Sequence, residues 1–118
     1  MNIEELLEDN DTQKRRHTRR NVKWKAFIKS PSNNQVLPAT TVNVSAQGVL
    51  LQTLFAFKKS QVLPIMIKAR YQGKNLIIYA KAEVRHIIIR TYDFQLGLQF
   101  TDIKKNDQEF FSRFAEGI

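Results

Sequence analysis

Cysteine is absent from this 118-residue chain, so disulfides, thiolate metal sites and thiol nucleophiles are excluded at the outset. Four glycines are too few for a Walker or dinucleotide-binding loop. The two histidines, His17 and His86, lie far apart, and neither has an H-x-x-x-H or H-x-E neighbour. No metal centre and no cofactor is therefore expected. Acids are scarce after the start: five of the 11 fall within residues 1–11, and the other six are scattered. With no paired carboxylates and no nucleophile–base arrangement, no catalytic residues are assigned and the chain does not read as an enzyme. No apolar run approaches membrane-spanning length, and an acidic start is the reverse of a signal peptide. The default reading is a cytoplasmic protein.

What the chain has in excess is positive charge. All 19 Lys and Arg follow residue 11, so residues 12–118 carry +13 although the whole chain carries +8. Such a field concentrates anionic partners without naming the anion. The densest cluster is Lys14-Arg15-Arg16-His17-Thr18-Arg19-Arg20. Guanidinium forks bind phosphates and guanine edges in a bidentate way that ammonium groups cannot. Taken alone, the cluster reads more simply as a solvated basic tail or an arm for any nucleic acid.

A 42% hydrophobic content and eight Phe residues are globular values, enough for one core. Residues 1–13 read as an acidic flexible leader and 14–118 as one domain. Within the leader, Asn2–Glu8 could form two amphipathic helical turns with Ile3, Leu6 and Leu7 as the apolar edge, marginal alone. They could dock on the basic surface of their own domain.

From Val22 the period becomes two: Val22, Trp24, Ala26 and Ile28 alternate with Lys23, Lys25, Phe27 and Lys29. Strands are also expected over Val36–Asn43, with Pro38 at an edge or bulge, and over Val49–Thr53 and Leu63–Arg70. Tyr71–Asn75 reads as a hairpin loop whose glycine takes a positive φ. Leu76–Arg90 reads as a strand bent around Lys81–Val84, and Phe94–Phe100 as the last strand. Phe110, Phe111 and Phe114 then mark a helix that caps the sheet or meets a partner. The fold class is all-β with short terminal helices: a succession of strands and short turns, best closed as an antiparallel barrel.

A second polar stretch, Asn43-Val44-Ser45-Ala46-Gln47-Gly48, interrupts the strands. Asn43 and Ser45 are two apart and would share one side of a strand. Gly48 would let the backbone turn or approach a ligand closely. The alternative is a bulge or turn closed by a side-chain hydrogen bond.

The two stretches together resemble the PilZ domain family, bacterial receptors for cyclic di-GMP. The family signature is R-x-x-x-R before the first strand and D/N-x-S-x-x-G some twenty to thirty residues later. Arg15-Arg16-His17-Thr18-Arg19 matches the first element, Asn43–Gly48 the second, and Leu96-Gly97-Leu98-Gln99-Phe100 resembles the family's last core strand. The resemblance implies a six-stranded antiparallel β-barrel with a C-terminal helix. It places cyclic di-GMP between the arginine arm and the barrel rim, held by Arg15, Arg16, Arg19, Arg20, Asn43, Ser45 and Gly48.

Asn43 stands where Asp is commoner, which trades a charge-assisted bond for a neutral one. Arg16/Arg20 also fits R-x-x-x-R, and Arg15/Arg19 is preferred because the family usually has an extra arginine after the first. The implied mechanism is an arm, Thr12–Asn21, that is mobile without ligand and ordered by it. The ordered arm then signals to an unidentified protein effector, in motility, biofilm or envelope machinery by resemblance. A monomer or weak homodimer is expected.

The rivals are a small basic barrel binding single-stranded nucleic acid and an adaptor that has lost its ligand. Trp24, Tyr71, Tyr79 and Tyr92 could stack bases, but they are not clustered in one strand. The intact motif residues speak against the adaptor.

Overall fold

The computed structural model describes residues 18–118. The leader over 1–13, together with Arg15, Arg16 and His17, lies outside the described residues. Among the described residues seven strands and one helix follow in order: β1 (Arg20–Asn21), β2 (Lys25–Lys29), β3 (Val36–Val44), β4 (Gly48–Thr53), β5 (Val62–Tyr71), β6 (Lys74–Ile89), β7 (Phe94–Ile103) and α1 (Lys105–Ala115). Strands β2 to β7 pair in the order β3-β2-β5-β6-β7-β4, and β4 pairs back onto β3. Every pairing is antiparallel, so a six-stranded barrel closes and needs no exposed edge there. Strand β1 is a two-residue addition beside β3, with Arg20 opposite Val44 and Asn21 opposite Asn43.

Alternation decides what fills the barrel. Ala26 and Ile28 of β2, Leu63, Ile65, Ile67 and Ala69 of β5, and Leu96 and Leu98 of β7 all point inward and are buried. The β5–β6 hairpin turns on Gln72-Gly73, both at positive φ (50° and 75°), the left-handed pair that a two-residue type I′ turn requires. Strand β6 bends at register shifts between Lys81 and Ala82 and between Val84 and His86, bracketing the expected bend.

One expected strand start is displaced. Residues Val22–Trp24 interrupt the register between β1 and β2 while keeping two backbone bonds to β3 (Val22 N–H to the Val42 carbonyl, Thr41 N–H to that of Trp24). Thr41 Oγ1 fills in, accepting from the Trp24 N–H (2.7 Å) and donating to the Val22 carbonyl (2.6 Å). Thr41 is buried, so these bonds have no water to replace them. Thr41→Val is expected to leave the Trp24 N–H unpaired and cost about 1–3 kcal/mol, read as a lowered denaturation midpoint. An unchanged midpoint would show that the break is set elsewhere.

Helix α1 lies over one end of the barrel. Phe111, fully buried, stacks on Phe100 at 5.5 Å, while Phe114 packs on Trp24 at 4.7 Å and edge-on to Tyr71 at 4.8 Å. These rings cap their own barrel. The helix stops at Gly117 (φ 81°), with Gly117 N–H bonded to the Phe114 carbonyl and Ile118 N–H to that of Arg113, the paired closure of a Schellman motif.

Candidate functional site

The site begins with an irregularity in β3. Thr41 pairs with Leu51 and Asn43 with Leu50, so Val42 is an extra residue. Thr41 and Val44 can therefore both face the core although they are three apart. The bulge turns Asn43 outward, a common use of bulges beside binding sites.

Beyond β3 the chain makes a tight loop around Ser45. Its backbone N–H bonds to the Gly48 carbonyl at 2.9 Å, and its Oγ accepts from the Gln47 and Gly48 N–H groups at 3.2 Å each. The loop is tied down from two further sides: Phe100 N–H donates to the Gln47 carbonyl, and Gln108 Nε2 of α1 donates to that of Ala46, both at 2.9 Å. Ser45 is 5% exposed, and its hydroxyl holds the turn.

Gly48 is not at a positive φ. It pairs with Gln99 of β7, and a Cβ there would overlap the Leu98 carbonyl oxygen. Close approach by the neighbouring strand is thus what demands glycine at this position.

Next to this loop lies a cavity of about 410 Å³, within the range of small-molecule sites. Arg19, Asn43, Ser45 and Gly48 line it together, so both sequence stretches reach one place. The facing wall comes from β6 and β7: Arg85, His86 and Gln99. Among the described residues, no carboxylate belongs to the lining. Arg85 meets Glu83 at 3.3 Å in a pair that is half-exposed, and such pairs hold little energy against a competing anion. Among the described residues, the Arg19 guanidinium and the Asn43 amide have no hydrogen-bond partner.

Arg20, also a candidate from the sequence, does not line the cavity. Its guanidinium sits 4.5 Å from the Phe114 ring centroid and 5.2 Å from that of Tyr71. It donates to Tyr71 Oη and to the Phe114 carbonyl, each at 3.1 Å. A cation at the carbonyl end of a helix is also favoured by the helix dipole. Neighbours on an extended backbone face opposite ways, so Arg19 takes the cavity and Arg20 the helix.

Arg85, His86 and Gln99 belong to neither motif and carry no ligand role in the sequence; His86 there reads as a surface or packing histidine. Val84 pairs with Leu98 and His86 with Gly97, leaving Arg85 as an extra residue, and both Arg85 and His86 are exposed. His86 lies against Gly97, where an added Cβ would come within 3.2 Å of its Cβ. The available signal was the break in alternation at Arg85-His86, ahead of the uniform Ile87–Ile89. The expected arm, Thr12–Asn21, also ends sooner than its range, since Arg20 and Asn21 are fixed on β3.

Among the described residues no group of three or more His, Asp or Glu is placed to hold a metal, and no helix is long and apolar enough to cross a membrane.

Comparison with known proteins follows the same lines. The family model described as PilZ domain matches residues 13–117. Among solved structures, the Bacillus subtilis inhibitor of motility MotI/DgrA superposes with a TM-score of 0.77 at 18% identity, covering 86% of this chain and 49% of that one. Escherichia coli YcgR in complex with c-di-GMP gives 0.71 at 14% identity, covering 86% and 44%. The PilZ domain of YcgR with c-di-GMP gives 0.68 at 15%, covering 89% and 91%. The chain thus spans about half the length of MotI and of full YcgR. At these identities the likeness establishes the fold. No curated protein matches the sequence.

Proposed function

The chain belongs to the PilZ domain family, and on that premise we propose that it is a cyclic di-GMP receptor that reports the ligand to a protein partner. The observation that carries this reading is the convergence of Arg19 and Asn43 on one cavity whose described lining holds no carboxylate. The same ligand is named for the YcgR structures that share the fold.

Cyclic di-GMP offers two phosphates and two guanines, and each guanine presents O6 and N7 to a single guanidinium fork. In this reading Arg19 takes a phosphate or a guanine edge, with Arg15 as the other arginine of the motif and Arg16 assisting. Asn43 bonds a guanine from the barrel side. Arg85 and His86 add donors from the opposite wall. Ser45 and Gly48 act mainly by shaping the loop that carries Asn43 into place.

Binding would draw the segment before Arg19 onto the barrel. The entropy lost in ordering it lowers net affinity and changes the surface a partner meets. Helix α1 is suited to pass that change on. Gln108 joins it to the motif loop and Arg20 joins its C-terminal turn to the arm. The setting we propose is the bacterial cytoplasm, with the partner in motility, biofilm or envelope machinery and the chain a monomer or weak homodimer.

Isothermal calorimetry with cyclic di-GMP, run beside a single-stranded oligonucleotide, tests the reading. A saturable cyclic di-GMP isotherm is expected. No cyclic di-GMP heat, together with oligonucleotide binding that weakens steeply with salt, would replace the reading with the nucleic-acid barrel. Silence from both ligands would leave the adaptor.

A further inference from the structure

The outer face of β2, β5 and β6 carries a feature that the cavity does not use. Pro38, Phe27, Met66 and Tyr79 are consecutive register partners across β3, β2, β5 and β6. They form an apolar stripe at right angles to the strands, about 14 Å long at the usual strand spacing. Lys25 and Lys68 are partners in the row on one side, which ends in exposed Ile77. On the other side Lys29 and Lys81 line a common shallow groove with Pro64. Tyr79 is 63% exposed and Ile77 57%. Helix α1 packs elsewhere, on Trp24, Tyr71 and Phe100.

An apolar stripe between two rows of lysines fits a segment with an apolar ridge flanked by carboxylates. We infer that the occupant is residues 1–11 of this same chain, seated on the β2–β5–β6 face by Ile3, Leu6 and Leu7. Three observations support this choice. Residues 1–11 carry five acids and no cation, the only such run in the sequence. Their apolar residues recur at helical spacing, which matches a stripe crossing several strands. The tether is also long enough. On β3 the stripe lies six residues from the Arg20 partner Val44, about 20 Å, whereas residues 12–19 can span up to about 26 Å.

A single-stranded nucleic acid fits less well. Met66 and Pro38 offer no aromatic ring for a base, and the Phe27 ring is already covered by the Lys68 ammonium at 5.5 Å. The inference is independent of what fills the cavity.

The absence of cysteine makes the test direct. A nitroxide attached to an Asn2→Cys variant of the full chain would be the only thiol label. The largest losses of amide signal are expected at Phe27, Met66 and Tyr79. They should disappear when Lys25→Glu and Lys68→Glu are combined, with the remaining spectrum unchanged. Losses centred on Arg19, Asn43 and His86 would overturn the inference in favour of docking at the arginine arm. Weak, uniform losses would overturn it outright. Losses seen only between labelled and unlabelled copies would assign the face to a second chain. A thymidine oligonucleotide that shifts Tyr79 while the nitroxide leaves it untouched would assign it to nucleic acid.

Discussion

Arg19→Ala is expected to weaken cyclic di-GMP binding by at least about 100-fold, while Arg20→Ala leaves affinity within a few-fold and lowers stability instead. Hydrogen bonds to a charged group are worth about 1.5–3 kcal/mol each. A guanidinium fork making two of them therefore accounts for two or more factors of ten, at 1.4 kcal/mol per factor. Arg19 lines the cavity and is held by nothing else among the described residues. Its loss should hardly touch folding. Arg20 bonds Tyr71 and the last turn of α1 and lies over two rings. Losing those contacts should cost about 2 kcal/mol, roughly a ten-degree fall in midpoint for a domain of this size. Calorimetry and thermal denaturation on the two variants separate the effects. The opposite pattern, with affinity lost in Arg20→Ala and kept in Arg19→Ala, would move the motif register to Arg16/Arg20.

Gly48→Ala should disrupt the barrel before it disturbs any ligand. The new methyl would fall on the Leu98 carbonyl, a backbone atom at the Gly48 end of the β4–β7 ladder, which runs from Gly48↔Gln99 to Thr53↔Phe94. Backbone cannot swing aside as a flexible side chain does, so the two strands must separate locally. The cost is set at about 3 kcal/mol, the upper part of the range for overpacked cores. β4 also closes the ring onto β3, so loosening β7 from β4 opens the barrel. The expected readout is a large drop in urea midpoint, with near-normal affinity in whatever fraction stays folded at low temperature. A normal midpoint with lost affinity would return Gly48 to the ligand.

The order of these effects differs from the order in which the sequence presents the residues. Gly48 is conspicuous as the last residue of a motif, yet its geometry is that of strand packing. Arg85 and His86 sit outside both motifs, yet they line the same cavity as Arg19 and Asn43.

Much was legible in one dimension because alternation is a local property. The period-two runs through Ala26–Ile28, Leu63–Ala69 and Leu96–Leu98 state which residues face inward, since a strand has only two faces. Gln72-Gly73 announces its hairpin because few residues accept a positive φ. The family likewise follows from two short stretches in the right order.

The rest depends on which segments become neighbours once the chain is folded. The bulges at Val42 and Arg85 shift the face of everything beyond them by one residue, and single-strand periodicity does not encode that shift. Thr41 diverts the Trp24 N–H from a backbone partner to its own hydroxyl, a bond between separate strands. Arg19 and Arg20 are chemically identical neighbours, and only the cavity on one side and Phe114 on the other give them different work. The lysine-edged stripe of Pro38, Phe27, Met66 and Tyr79 belongs to four strands and exists only in register. A sequence fixes each residue's chemistry and its local period, whereas barrel closure sets its neighbours, and function here depends on the neighbours.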